Sequence, residues 1–346
     1  MKAFVDDPDD LTPQWLSQAL QTEVRSVAAQ RVGTGQTGAT YRLHLDADGC
    51  PPTLIAKLSA GDEAARTRVR VGYRREVGFY RDLAGTVKVR TAGCRYAAIS
   101  DDALSFTLLL DDLAPLVPGV QAQGCSLAQA EDAVRNLAGL HAPRWCDPAL
   151  FELPYLPRPT EEDAKFLGEI MSAATAQFVD RYSDDLDPAD IDTLRAAAAV
   201  GARWQMTRPE TFTVLHGDYR LDNLLFPPDG GPGVVAVDWQ TLAVAPPGRD
   251  LAYFLGTSLR TEDRRAAERD LVRTYHEALV AAGVGDYSLD QCFEDYRLGQ
   301  IQAPFVTTVG CIYATGERTR ASDEMFLAMA RRSCAAIRDL GSLDLL

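Results

Sequence analysis

The sequence predicts an α+β fold in two parts, a small antiparallel β lobe over residues 1–112 and a large, mainly helical lobe over residues 113–346. Three observations predict it. The first hundred residues alternate apolar and polar positions between turn signals, the chain after Asp111 shifts to helix-capping and helix-period patterns, and a short β-rich island interrupts those helices near residues 212–237. At 346 residues the chain exceeds the size that one core usually serves, and 46% hydrophobic with 24% charged residues is ordinary for a globular protein.

Thr12 followed by Pro13 marks a helix start, running to about Leu20. Val24 to Val32 reads as a strand. Tyr41, Leu43 and Leu45 alternate with Thr40, Arg42 and His44 as in a half-buried strand, Asp48-Gly49 supplies hairpin chemistry, and Thr53 to Leu58 returns. Asp62 to Leu83 is a long helical stretch, and Cys94 to Ser100 with Ser105 to Leu110 form a second hairpin around Asp101-Asp102. Beyond Asp111, Ser126 with Gln129 is a capping box for a helix reaching His141, and Thr160 with Asp163 opens another. Further helices are expected at roughly 187–205, 249–260, 262–282, 288–303 and 322–340. Phe212 to Leu215, Asn223 to Phe226 and Val234 to Val237 are short strands, the last two joined by PPDGGPG.

Lys and Arg number 35 against 49 Asp and Glu, a formal net charge of -14. That sign opposes a phosphate backbone or an anionic bilayer, so neither nucleic acid nor membrane is an expected partner. The seven cysteines are scattered and never spaced CxxC, which reads as reduced thiols and no zinc site. MKAFVDDPDDLTPQW lacks the basic start and apolar run of a secretory leader, and the apolar stretch around Phe305 to Ala314 is too short to span a bilayer. A cytoplasmic location is expected.

Gly33-Thr34-Gly35-Gln36-Thr37-Gly38 is a GxGxxG string, a pattern shared by dinucleotide-binding and kinase-type loops. A dinucleotide loop opens a helix, whereas an alternating strand follows here, so a loop between antiparallel strands laid over phosphates fits better. Ala39 stands where a P-loop requires lysine. A glycine-rich hairpin without a ligand is the plain alternative. Lys57 in Leu54-Ile55-Ala56-Lys57-Leu58 projects one ammonium from an apolar strand, suited to the α- and β-phosphates, and Glu76 on the following helix is its best-placed anionic partner. Glu76 as a solvated helix residue paired with an arginine is the competing reading.

The strongest signal is Leu215-His216-Gly217-Asp218-Tyr219-Arg220-Leu221-Asp222-Asn223, with Asp238 fifteen residues beyond Asn223 at the end of Val234-Val235-Ala236-Val237. Phosphoryl transfer needs one carboxylate at the acceptor hydroxyl, and an amide oxygen with a second carboxylate to hold magnesium on the phosphates. HGDYRLDN and VDWQ resemble the catalytic and metal motifs of the aminoglycoside phosphotransferase family. The longer strings HGDYRLDNLLF, VAVDWQ, GRDLAYFL and LLLDDL before LAGLHAPRW resemble its ecdysteroid-kinase-like and choline-kinase-like branch, from about Gly33 to Leu279.

The resemblance implies a bilobal protein-kinase-like fold and a kinase that uses ATP or GTP with Mg2+. Asp218 matches the catalytic aspartate, Asn223 and Asp238 the magnesium ligands, and Lys57 with Glu76 the phosphate-anchoring pair. Gly33, Gly35 and Gly38 match the nucleotide loop, and Leu110, Asp111, Asp112 and Leu113 the hinge whose backbone reads the adenine edge. Arg220 stands two residues after Asp218, where it either stabilises charge on the γ-phosphoryl oxygens or pairs with Asp222 or another carboxylate. His216 is expected to orient the loop, and Asp250 to brace it from a helix start.

Trp239-Gln240 follows Asp238 where protein kinases carry Phe-Gly, and only eleven residues separate Asp238 from Asp250, so a polypeptide platform is not expected. The expected acceptor is a small hydroxylated molecule: an aminoglycoside-type antibiotic, a sterol or polyol alcohol, or a hydroxyacyl compound. The alternative is a catalytically silent, nucleotide-binding pseudokinase module.

Overall fold

Alternating apolar positions in the first hundred residues build a five-stranded antiparallel sheet. A computed structural model describes residues 3–33, 38–313 and 318–346. By its contacts the chain forms two compact units. One holds the residues up to Thr86 with Thr91–Pro115 and Val237–Leu242; the other holds Val87–Arg90, Leu116–Ala236 and Ala243–Leu346.

In the first unit, α1 (Pro13–Leu20) starts where Thr12 accepts a hydrogen bond from Trp15 N. Strands β1 (Val24–Arg31), β2 (Gly38–Ala47), β3 (Thr53–Ser59), β4 (Cys94–Ile99) and β5 (Phe106–Asp111) lie in the order β1-β2-β3-β5-β4. Leu43, Ala56, Leu58 and Leu109 pack with Trp15 and Leu16 of α1 in one core on one sheet face. The period of two therefore turns Lys57 to the opposite face. There α2 (Glu63–Gly78) packs, its Tyr73 ring 4.5 Å from Phe106, and Phe79–Leu83 continue it as a π turn. Val237–Leu242 belongs to this unit because Trp239 stacks on Phe79 at 3.6 Å, nearly parallel, and donates to Thr91 Oγ1 at 3.1 Å.

The second unit is mainly helical: α3 (Leu127–His141), α4 (Glu161–Arg181), α5 (Pro188–Gln205), α6 (Gly248–Ser258), α7 (Thr261–Ala281), α8 (Leu289–Gly299), α9 (Gln302–Tyr313) and α10 (Arg320–Leu340). The capping boxes at Ser126 and Thr160 form as the sequence predicts, and Ser288 with Gln291 and Thr319 with Ser322 make two more. β6 (Val117–Pro118), β8 (Leu224–Phe226) and β9 (Val235–Ala236) form one small sheet; β7 (Thr213–Leu215) and β10 (Ala243–Ala245) form another.

The expected helix at 288–303 ends early and a second one, α9, takes up the apolar stretch after it. Pro304 is the physical reason: it lacks an N–H and fits only in the first turn of a helix, which is where α9 places it. The sequence reading also missed β6 and β10, which are too short to show a period.

α6 and α8 meet at two glycines. A Cβ on Gly248 would sit inside contact distance of Asp295 O, and one on Gly299 inside contact distance of Gly248 O. Both atoms are backbone, so nothing nearby can swing away. Gly248→Ala is expected to lower stability by about 1–3 kcal/mol, the range for overpacking, read as a lower urea midpoint at unchanged slope.

Candidate active site

Each unit presents one cluster of the residues singled out in the sequence. In the first, Lys57 Nζ lies 2.5 Å from Glu76 Oε1; Glu76 is fully buried, and Gln240 Nε2 donates to its Oε2 at 3.1 Å. The carboxylate is held from both sides, which decides against the reading of Glu76 as a solvated residue. Burial opposes the charge on Lys57, but Asp238 and Glu76 outweigh it and hold the ammonium above its usual range. Burial likewise pushes the Glu76 carboxyl up, with Lys57 pulling against it. Asp238 takes φ of 68°, the left-handed region that only a short polar side chain enters readily besides glycine.

The glycine string joins two antiparallel strands, closed by Val32 N donating to Thr40 O at 2.9 Å. Gly33 has φ of 71° and Gly38 opens β2, while Gly35 lies outside the described residues. At the expected hinge, Leu110 and Asp111 end β5, and Asp111 N donates to Gly93 O at 2.8 Å. The two hinge carboxylates are committed to the sheet's own arginines: Asp111 to Arg95 at 2.7 Å and Asp112 to Arg42 at 2.7 Å. Asp112 also receives Ala114 N at 3.1 Å. Leu113 follows, half-buried.

In the second unit the segment from His216 to Asn223 turns sharply after β7. Gly217 has φ of 80°, a backbone angle that a side chain at this position would strain. Asp250, fully buried in the first turn of α6, fixes the turn: its Oδ2 accepts from His216 N at 2.7 Å and its Oδ1 from Gly217 N at 3.0 Å. The brace expected of Asp250 is thus seen directly. His141 Nε2 lies 3.4 Å from Asp250 Oδ2, and its Nδ1 2.7 Å from Tyr275 Oη, so this histidine at the end of α3 belongs to the buried support. His216 is fully buried and its Nδ1 receives Asp218 N at 3.3 Å.

Asp218 is ringed by donors. Tyr253 Oη donates to its Oδ1 at 2.7 Å, Asn223 Nδ2 to its Oδ2 at 2.9 Å, and Arg220 Nε lies 3.2 Å from each carboxylate oxygen. Arg220 also pairs with Asp222 through Nη1 and touches Met325 Sδ at 3.3 Å. The guanidinium therefore bridges two carboxylates of one loop. Burial opposes its charge, yet Asp218 and its neighbours outweigh burial and raise it. Gln121 ties down the loop's far side, its N donating to Asp222 Oδ1 at 3.1 Å and its Oε1 accepting from Leu221 N at 2.9 Å.

Asn223 turns its amide nitrogen to Asp218, which leaves Oδ1 as an open acceptor. Asn223 Oδ1 in the second unit and the Asp238 carboxylate in the first are each hard oxygen donors of the kind that suits magnesium. Among the described residues no three His, Cys, Asp or Glu side chains form a metal cage by themselves.

Tyr253, Gln240 and Gln121 escaped the sequence reading. Tyr253 had a usable signal: it stands three residues after Asp250, so both share one face of α6 and reach the same loop. Gln240 and Gln121 had none, because their partners are 164 and 100 or more residues away.

A phosphotransferase enzyme family matches residues 28–286, well over half of the chain. Solved structures share the fold at low identity. A putative aminoglycoside phosphotransferase from Ralstonia eutropha is 18% identical, with 96% of this chain and 98% of that one covered, at a TM-score of 0.56. Choline kinase from Cryptosporidium parvum is 10% identical over 92% of each chain, at 0.57. The GDP complex of aminoglycoside 2'-phosphotransferase-IIIa is 15% identical over 93% of this chain and 98% of that one, at 0.52. A curated relative, acyl-CoA dehydrogenase family member 10 of Mus musculus, is 38% identical over 48 residues, 14% of this chain and only 4% of that protein.

The Asp250 brace makes its own test. Asp250→Ala strands two buried N–H groups, so a loss of about 3 kcal/mol or more in urea denaturation is expected, with faster amide exchange at His216 and Gly217. Asp250→Asn, which keeps one acceptor oxygen, is expected to lose less.

Proposed function

Because the chain belongs to the phosphotransferase enzyme family, we propose that it transfers the γ-phosphoryl group of Mg-ATP to a hydroxyl of a small molecule, with Asp218 as the base. The observation that carries this reading is the Asp218 carboxylate itself, oriented by Tyr253, Asn223 and Arg220 on a loop whose backbone Asp250 pins. Lys57, held by Glu76, is assigned to the α- and β-phosphates, with the glycine loop over them and the backbone of Leu110 to Leu113 at the adenine edge. Asp111 N is already engaged by Gly93 O, which favours Asp112 and Leu113 for that contact. GDP in the aminoglycoside phosphotransferase complex supports a purine nucleotide, and GTP is the alternative donor. The neighbours named for choline and for aminoglycosides support a small hydroxylated acceptor.

In the step, Asp218 accepts the proton of the acceptor hydroxyl as its oxygen bonds to the γ-phosphorus. The bond from that phosphorus to the bridging oxygen breaks, and the nucleoside diphosphate leaves with the electron pair. Magnesium held through Asn223 Oδ1 and Asp238 would neutralise charge on the phosphates. Arg220 is assigned to charge that grows on the transferred group, released from part of its hold on Asp218 and Asp222 when the γ-phosphoryl competes for it. No helix among the described residues is long and apolar enough to cross a membrane.

The two aspartates separate by what they lose. Asp218→Asn is expected to slow transfer by about 10² to 10⁴ with little change in Mg-ATP affinity, since a general base acts mainly in the transition state. Asp238→Ala is expected to weaken nucleotide binding and turnover together. Calorimetric titration with magnesium and a non-hydrolysable ATP analogue reads affinity; ADP release across a panel of hydroxylated metabolites and antibiotics, choline and kanamycin included, reads turnover. A folded parent that binds no analogue at millimolar concentration would overturn the proposal. Arg220→Ala is expected to lower turnover more than affinity, whereas unchanged turnover at a lower Tm would leave it only the ion pairs.

A further inference from the structure

Resting on Asp218 as the base, we propose that Tyr253 is a positioning residue for phosphoryl transfer: its hydroxyl, donated to Asp218 Oδ1, fixes the direction in which the carboxylate meets the acceptor. A carboxylate turns easily about its last torsion, which is broad and two-fold. Asn223 Nδ2 and Arg220 Nε both donate to Oδ2, at 2.9 and 3.2 Å, and hold the carboxylate from that side. The Tyr253 bond, the shortest of the three at 2.7 Å, holds it from Oδ1.

Two features make Tyr253 a fixed post. Its ring is fully buried and packs with Ala303 and Met329, flanked by Val306 and Met325. It also stands on the helix whose first turn carries Asp250, so one rigid element holds both the backbone of the loop and the side chain of its base. Burial, with Asp218 adding to it, pushes the phenol well above its ordinary range, so the hydroxyl stays a donor. A carboxylate oxygen accepts two hydrogen bonds, which leaves Oδ1 a lone pair for the acceptor hydroxyl.

A buried phenol in an apolar cluster needs some acceptor, and Asp218 could serve as no more than that. A double-mutant cycle separates the two cases. The probe is Mg-ATP with water as the acceptor, followed as phosphate release under single-turnover conditions with enzyme in excess. Tyr253→Phe keeps the buried ring and is expected to slow release by about 10- to 100-fold, the range of a hydrogen bond to a charged group, with Mg-ATP affinity within about twofold of the parent. In an Asp218→Asn background the same change is expected to cost less than about twofold, because Tyr253 acts through that carboxylate. 3-Fluorotyrosine at position 253, which retains the hydroxyl, is expected to stay near the parent rate and controls for folding. Tyr253→Phe at the parent rate, or an equal loss in both backgrounds, overturns the role of Tyr253 and leaves Asp218 as assigned. Asp218→Asn at the parent rate overturns the assignment of Asp218, and the role of Tyr253 with it.

Discussion

The loop from His216 to Asn223 depends on one carboxylate that touches none of the residues assigned to nucleotide or metal. Asp250 spends both oxygens on the N–H groups of His216 and Gly217. Those groups lie in a turn that belongs to no helix or strand, so without Asp250 they would be buried donors with no partner, each costing about 1–3 kcal/mol. Once the backbone is held there, the chain's own stereochemistry places Asp218, Arg220 and Asn223 two, four and seven residues past His216. The side chains then hold one another, with Asn223 and Arg220 on Asp218 and Asp222 on Arg220. A loop of polar residues becomes a rigid arrangement because its backbone is fixed from beneath by a helix.

The first unit solves a different problem, that of keeping a lysine charged where water is scarce. Lys57 is only 15% exposed and Glu76 wholly buried, and burying a lone charge costs far more than one hydrogen bond returns. Asp238 and Glu76 keep the ammonium charged against burial, and the Gln240 amide holds the Glu76 carboxylate from its other side. The Phe79–Trp239 stack has the same end, since it anchors the segment that delivers Asp238 and Gln240. A dipeptide that looks like a departure from a familiar pattern, Trp239-Gln240, is therefore a support for the ion pair: the indole packs and the amide bonds.

Much of the fold was legible because its signals are local. Thr12, Ser126 and Thr160 cap helices wherever tertiary structure puts them, and the alternation from Thr40 to Leu45 fixes which face of a strand is apolar before any partner is known. The same period in β3 places Lys57 opposite the core that Ala56 and Leu58 enter. The boundary between α8 and α9 is not legible in helical period, which does not mark a break, and Pro304, which does, stands one residue beyond the expected end at 303. β6 and β10, two and three residues long, exist only because other strands lie beside them.

The sequence by itself determined the α+β class and the order of the main elements, and it singled out Lys57, Glu76, Asp218, Arg220, Asn223 and Asp238, because residue type at fixed spacing states which chemistry is available. It left Glu76 and Arg220 each with two readings. Only the tertiary structure decided that Glu76 is the buried partner of Lys57, that Arg220 bridges Asp218 and Asp222, and that Tyr253, Gln240 and Gln121 belong among them. Hydrogen bonds and ion pairs fall off within a few ångströms, and no sequence period encodes which residues, a hundred or more positions apart, the fold brings that close.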